Sequence, residues 1–305
     1  MLVNTRIAFI GSGVMAEAMI TGLLRKKVTS ANCIIASGPR VDRGDYLREK
    51  YYIGVTTDNV EALREAGVVV LSVKPQMLAT VISDLHGAVP PEALVLSIIA
   101  GAKINSIEQG LGHVSIVRSM PNTPAQIGEG ITVWTTSNAV SDTQREQARM
   151  ILTALGEEVF VEDEDFLDMA TALSGTGPAY VFLFMEAMVD AGVHLGFPRY
   201  IAEKLVIQTL RGSVEYVRQA PDHLARLRNQ VTSPGGTSAE ALYFLERAGF
   251  RTALSRAIWA AYQRSVTLGE GKKKGRLAEG EELKLNINNA LISLLNHGVL
   301  TQSFV

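Results

Sequence analysis

Cysteine is almost absent: Cys33 is the single one in 305 residues. That excludes a disulfide framework and a thiolate metal cluster, and its place in an apolar run reads as inert packing. The five histidines, at positions 86, 113, 194, 223 and 297, are scattered without metal-ligand spacing, so no metal site is expected. A formal charge of −2 removes the electrostatic reason for a nucleic-acid partner or an anionic membrane surface. No apolar run looks long enough to cross a bilayer: the most apolar helical stretch, 180–191, is short and carries Glu186 and Asp190. The first residues read as a strand and not as a signal peptide. The expectation is a soluble, cytoplasmic protein without membrane or nucleic-acid partners. What is present suits that: 47% hydrophobic residues support a sizeable core, in one large domain or two ordinary ones.

Glycine marks the two places where chemistry is expected. Near the start, Arg6-Ile7-Ala8-Phe9-Ile10 reads as a buried strand, followed at once by Gly11-Ser12-Gly13-Val14-Met15-Ala16 and an amphipathic helix over 14–24. Gly11 permits the tight turn, Gly13 lets backbone approach a pyrophosphate, and Ala16 allows close helix–strand packing, so a dinucleotide is the expected ligand. The next strand, over 33–37, is expected to end beside the adenosine ribose, where an NAD site places Asp or Glu. Here the residues are Ser37-Gly38-Pro39-Arg40, with Arg43 close behind. A hydroxyl and guanidinium groups suit a 2′-phosphate, which favours NADPH. Asp42 nearby pulls the other way, and NADH stays open as an alternative.

The second run is Val231-Thr232-Ser233-Pro234-Gly235-Gly236-Thr237-Ser238, opening into a helical stretch over 239–248. A helix N-terminus presents unpaired N–H groups and partial positive charge, so the backbone at Gly236, Thr237 and Ser238 is a candidate clamp for a small anion. A ligand-free reading also fits, because Thr237-Ser238-Ala239-Glu240 has the pattern of a capping box.

Strands are expected at 6–10, 33–37, 53–56, 68–73, 94–99, 115–119, 131–135 and 158–161, with helical patterns between most of them. That alternation predicts an α/β fold with a doubly wound sheet. Ligands of such sheets bind beyond the carboxyl ends of the strands, which draws Val73-Lys74-Pro75, Ile99-Ala100-Gly101 and Met120-Pro121-Asn122-Thr123-Pro124 to one rim. After Asp163 the texture is helical, with helices expected over 164–173, 178–195, 198–219, 221–230, 238–248 and 251–268. Pro178, Pro198 and Pro221 suit first-turn positions and Gly249 suits a stop. The stretch 178–195 is apolar on most faces, more than a small domain buries unaided, and reads as a subunit interface. Further on, the basic linker Gly271-Lys272-Lys273-Lys274-Gly275-Arg276 precedes an amphipathic helix expected over 281–300.

With these segments assembled, the chain resembles the delta-1-pyrroline-5-carboxylate reductase family, the last enzyme of proline synthesis. The resemblance is carried by Phe9-Ile10-Gly11-Ser12-Gly13-Val14-Met15, Val73-Lys74-Pro75, Arg118-Ser119-Met120-Pro121-Asn122-Thr123-Pro124, Leu173-Ser174-Gly175-Thr176-Gly177-Pro178-Ala179-Tyr180, and 231–238 continuing to Gly249-Phe250-Arg251. It implies an NADP-binding Rossmann-type domain over 1–162 and an all-helical dimerisation and substrate domain over 163–269. The extension over 270–305 falls outside it. It further implies hydride transfer from NADPH to the ring imine carbon of 1-pyrroline-5-carboxylate. The assembly would be a homo-oligomer of intertwined dimers, with each active site between one subunit's cofactor domain and its partner's helices.

Carried onto matching positions, the cofactor would meet Ile10, Gly11, Ser12, Gly13, Val14, Met15, Asn59, Val73, Lys74 and Ala100, with Ser37, Arg40 and Asn122 beside them. Substrate would meet Glu164, Gly236, Thr237 and Ser238, the Ser238 hydroxyl orienting the imine. Gly38 stands where family members often carry a phosphate-binding residue, which leaves Ser37 and Arg40 for that role; Ser238 stands where many have threonine. Hydride chemistry belongs to the cofactor, so no histidine or cysteine is required. A beta-hydroxyacid dehydrogenase, the enzyme rival, places a lysine on an early helix of its second domain, and 178–195 has none. A dinucleotide-binding regulator without catalysis is opposed by the intact Ser238 and Asn122.

Overall fold

In the computed structural model, which describes residue 2 and residues 4–269, the strands bury alternate residues to opposite faces of one eight-stranded sheet. β1 (Arg6–Ile10) turns Ile7 and Phe9 to one face and Ala8 and Ile10 to the other, the period-two geometry of an extended chain. The remaining strands are β2 (Ile34–Ser37), β3 (Gly54–Thr56), β4 (Ala66–Leu71), β5 (Leu94–Ser97), β6 (Ile116–Met120), β7 (Gly130–Thr136) and β8 (Gly156–Phe160). All the expected strands form, in the order β3-β2-β1-β4-β5-β6-β7-β8. The order reverses between β1 and β4, where Ile10 pairs with Leu71, so the crevice beyond those ends is the natural ligand position.

The helices of this half are α1 (Val14–Arg25), α2 (Val41–Tyr51), α3 (Asn59–Ala62), α4 (Leu78–Leu85), α5 (Ile104–Leu111) and α6 (Asp142–Thr153). Apolar residues of α1, α2 and α6 pack with Phe9, Val70 and Trp134 on one face. Those of α3, α4 and α5 pack with Ile10, Val69 and Val95 on the other. One departure from simple alternation lies after β6. The loop that follows holds only a short 3-10 turn, Thr123–Ile127, and β7 runs antiparallel to β6. An antiparallel neighbour needs no crossover helix, so the rim segment from Met120 to Pro124 is a return and not the start of a helix.

The second half is helical: α7 (Phe166–Ala170), α8 (Gly177–His194), α9 (Arg199–Gln219), α10 (Leu224–Gln230), α11 (Thr237–Arg247) and α12 (Phe250–Gly269). A single π turn, Thr171–Gly175, joins α7 to α8. The continuous run Phe166–His194 that results is long and apolar enough to cross a membrane by length and composition, the one such helix among the described residues. That departs from the shorter stretch expected from sequence, because the π turn carries the helix through Ser174-Gly175 without a break.

Two of the three prolines also fall elsewhere than expected. Pro178 sits in the first turn of α8, but Pro198 is the residue before α9, and α10 begins only after His223, whose Nδ1 accepts from the Ala225 N–H at 3.2 Å. Gly249 takes φ 73° and closes α11 as expected. The core of this half is small: Val189, Ala202 and Val206, with Met185, Met188 and Leu210 against them. Phe182, Leu183 and Tyr200 stay 61%, 66% and 72% exposed, and α11 buries no side chain. The expected extension, 270–305, lies outside the described residues.

Candidate active site

The loop between β1 and α1 is built by contacts that only glycine permits. Gly11 takes φ +107°, and a Cβ there would strike the Ser72 carbonyl at 2.8 Å and Val73 at 2.9 Å. Its carbonyl accepts the Ser72 hydroxyl at 2.8 Å, so the loop is drawn down on the end of β4. Gly13 is the opposite case. A Cβ there would meet nothing within 4 Å, and Gly13 is the N-terminal cap of α1 without a side-chain hydrogen bond. An open space thus faces an uncapped helix N-terminus, which is the shape and polarity a pyrophosphate needs. Val14 is 64% exposed and Met15 half-buried beside it, whereas Ile10 is fully buried and contributes only the floor.

At the end of β2 the structure sorts the expected ribose contacts. Ser37 is fully buried and donates its hydroxyl to Asn59 Oδ1 at 2.5 Å, which orients Asn59. Arg40 is exposed, and its guanidinium makes no hydrogen bond or ion pair among the described residues. Gly38 is explained by the fingerprint loop, since a Cβ there would press on the Ser12 hydroxyl. Arg43 turns inward: its Nε donates to the Ser12 carbonyl at 2.8 Å and its Nη2 pairs with Glu17 at 2.5 Å. Burial pushes the Glu17 carboxyl up, but hydrogen bonds from Arg43, Tyr51, Lys50 and Tyr46 outweigh it and hold it at about 2.

Farther along the rim, Val73 is half-buried and Lys74 exposed, without a partner for its ammonium among the described residues. Ala100 is half-buried at a turn against which the end of α12 packs: a Cβ on Gly101 would meet the Gly269 nitrogen at 2.7 Å. Asn122, among the expected cofactor contacts, has its amide engaged within the chain. Its Nδ2 donates to the Ser174 carbonyl at 3.2 Å and its Oδ1 accepts from the Ile131 N–H at 3.0 Å, so the amide ties the rim to the π turn. A Cβ on Gly175 would meet the Met120 methyl at 2.7 Å, the movable end of a flexible side chain.

Glu164 is likewise engaged within the chain, its Oε1 accepting from the Ile104 N–H at 2.8 Å and from Arg118 at 2.9 Å. Arg118, 2% exposed, also donates to Asp168 at 3.1 Å, and Asp168 accepts the Ser265 hydroxyl at 2.6 Å. This buried joint of β6, α7 and α12 is absent from the sequence reading. A lone acid in the apolar run Phe166-Leu167-Asp168-Met169-Ala170 is the signal that points to it.

The second glycine loop also resolves one of its two readings. Gly236 is the cap of α11 and makes no side-chain bond, so the capping box does not form. The Gly236 N–H is taken by the Ser233 carbonyl at 3.1 Å, which distinguishes it from Thr237 and Ser238. Their N–H groups and hydroxyls have no protein partner among the described residues, with Thr237 exposed and Ser238 half-buried. No hydrogen bond or ion pair among those residues links this loop to the sheet.

Comparison with known proteins places the chain. A family model described as pyrroline-5-carboxylate reductase dimerisation matches residues 164–268, and one described as NADP oxidoreductase coenzyme F420-dependent matches residues 6–101. A pyrroline-5-carboxylate reductase of Synechocystis is 41% identical over 88% of this chain and 99% of its own length. One of Pseudomonas aeruginosa is 42% identical over 87% and 97%. This chain belongs to the pyrroline-5-carboxylate reductase family. The crystal structure of a Plasmodium falciparum pyrroline carboxylate reductase with NADP bound superposes with a TM-score of 0.81 at 31% identity, covering 87% of this chain and 98% of that one. The exposed apolar run of α8 lies inside the dimerisation match. The open space at Gly13 lies inside the NADP oxidoreductase match.

Proposed function

We propose that the chain reduces 1-pyrroline-5-carboxylate to L-proline, the last step of proline synthesis, with NADPH preferred and NADH as the alternative donor. The observation that carries the site is a pair of helix N-termini without side-chain caps: α1 facing the open space at Gly13, and α11 presenting Thr237 and Ser238. The bound nicotinamide supplies the hydride to the ring carbon of the imine. The chain supplies placement. Gly11, Gly13, Val14 and Met15 hold the pyrophosphate, Asn59 and Arg40 the adenosine ribose with its phosphate, and Val73, Lys74 and Ala100 the nicotinamide side of the rim.

The Thr237 and Ser238 N–H groups clamp the substrate carboxylate, and the Ser238 hydroxyl hydrogen-bonds the ring nitrogen. Asn122 and Glu164 act by holding rim and helices together. A second copy covering α8 and α9 would bring its α11 over the rim, in an assembly of intertwined dimers. That supports a division into a cofactor part, 1–162, and a helical part, 163–269. A biosynthetic reductase with a single cysteine and near-neutral charge suits the cytoplasm.

The test is direct. Full-length protein is given pyrroline-5-carboxylate with NADPH or NADH, and nicotinamide oxidation is matched against proline formed. Equal amounts of both, faster with NADPH, are expected. Nicotinamide oxidation without proline would mean another substrate, and neither product would mean a binding protein.

A further inference from the structure

Arg43 is drawn by the sequence pattern toward the 2′-phosphate, yet its side chain is only 16% exposed and points into the fingerprint loop. Its Nε donates to the Ser12 carbonyl at 2.8 Å and its Nη2 reaches the Gly13 carbonyl at 3.4 Å. A trans peptide sets its C=O and N–H on opposite sides. A Ser12 carbonyl turned to Arg43 therefore turns the Gly13 N–H away from it. The Gly13 carbonyl, which also accepts the Glu17 N–H at 3.0 Å, turns the Val14 N–H toward the open end of α1. These two N–H groups belong to the loop that borders the unfilled space at Gly13.

The guanidinium is itself fixed from behind. Glu17 pairs with it at 2.5 Å and is held in turn by the hydroxyls of Tyr51 at 2.8 Å and Tyr46 at 3.1 Å and by Lys50 at 3.0 Å. A rigid fork of donors can span two carbonyls and a carboxylate; a lysine ammonium at the end of a flexible stem cannot.

We propose that Arg43 is a positioning residue for the dinucleotide pyrophosphate, holding the Ser12–Gly13 and Gly13–Val14 peptide planes so that their N–H groups face the ligand. This rests on the reading of that space as the dinucleotide site. Arg43 then serves NADPH and NADH alike, and the discrimination of the 2′-phosphate falls to the exposed Arg40.

Calorimetric titration of the full-length protein with NADP+ and NAD+, beside melting of the ligand-free protein, separates these roles. Arg43→Met is expected to weaken both nucleotides by a similar factor, about tenfold or more. Arg43→Lys keeps the ion pair with Glu17 and the ligand-free melting temperature, yet loses affinity for both nucleotides. Arg40→Ala weakens NADP+ alone. If either Arg43 variant weakens NADP+ only, Arg43 reads the 2′-phosphate and the proposal is overturned. If Arg43→Lys binds both nucleotides as the unaltered protein does, charge and not the fork matters, and it is overturned as well. An unaltered protein that binds neither nucleotide would remove the dinucleotide reading of the loop, a failure distinct from that of the Arg43 variants.

Discussion

The two halves of the chain treat apolar residues in opposite ways. In the sheet half, Phe9, Val70 and Leu96 are fully buried, because helices cover both faces of the strands. In the helical half, Phe182 and Leu183 are 61% and 66% exposed around a small core of Val189, Ala202 and Val206. Composition does not make this difference; layering does. A sheet with helices on each face closes its own core, whereas a helical hairpin leaves an outer face bare unless another layer meets it. The core of the sheet half is thus complete within one chain. On the proposed reading the substrate half is completed by a second copy.

The largest effect should come from charging the bare face. Phe182→Glu with Leu183→Glu costs an isolated chain little, since both side chains already meet water. In a covered interface each leaves an unpaired buried charge, on the order of 3 kcal/mol or more apiece. Light scattering should show single chains and the reductase activity should vanish, while NADP+ affinity stays within about twofold. Unchanged mass with full activity would mean that the helical half works alone.

Next in size is the seam between the halves. Arg118→Met leaves Asp168 buried without its cation and should cost about 3–5 kcal/mol in denaturant unfolding. Unlike the interface change, this loss should not depend on protein concentration. Adding Asp168→Leu should restore much of it. A loss below about 1 kcal/mol would place this pair among weak surface bridges, despite an Arg118 that is 2% exposed.

What the sequence reveals divides along similar lines. The fingerprint turn, the eight strands and the Gly249 stop depend on neighbours a few residues away, so periodicity and glycine placement expose them. The antiparallel β7 is hidden, because the segment from Met120 to Pro124 looks like any turn leading to a crossover helix. Ser37 and Asn122 sit where ligand contacts are expected by position. Their polar atoms are engaged by Asn59, Ser174 and Ile131, partners 22, 52 and 9 residues away that no local pattern indicates. Arg43 and Glu17 are the converse, a pair on separate helices whose meeting sets the loop the pattern did find.

Ser238 tests the incomplete half at its chemical centre. A hydrogen bond to a charged ring nitrogen is worth about 1.5–3 kcal/mol, so Ser238→Ala should lower kcat/KM roughly 10- to 150-fold. Ser238→Thr keeps the hydroxyl and should keep the activity. Gly236 caps α11 without help from a side chain, so alanine should leave the melting temperature nearly unchanged. A destabilised but fully active alanine variant would make the hydroxyl structural.

The smallest effect belongs to the complete half and depends on pH. Glu17 is held at about 2 in the folded chain against an ordinary 4.5. Between those values the unfolded chain binds the extra proton, so stability rises with pH there. The contribution is fully present above the unfolded value and is lost as pH falls from about 4.5 through about 2. With the carboxylate 18% exposed, screening trims it to about 1–2 kcal/mol. Denaturant midpoints of the unaltered protein and Glu17→Gln should therefore differ at pH 6 and converge toward pH 3. Because Arg43, Tyr51, Lys50 and Tyr46 all lie in the same half, the difference should not change with protein concentration, nor in the background of the Phe182 and Leu183 substitutions. A gap that stays constant with pH would show that Glu17 acts through packing and not through its charge.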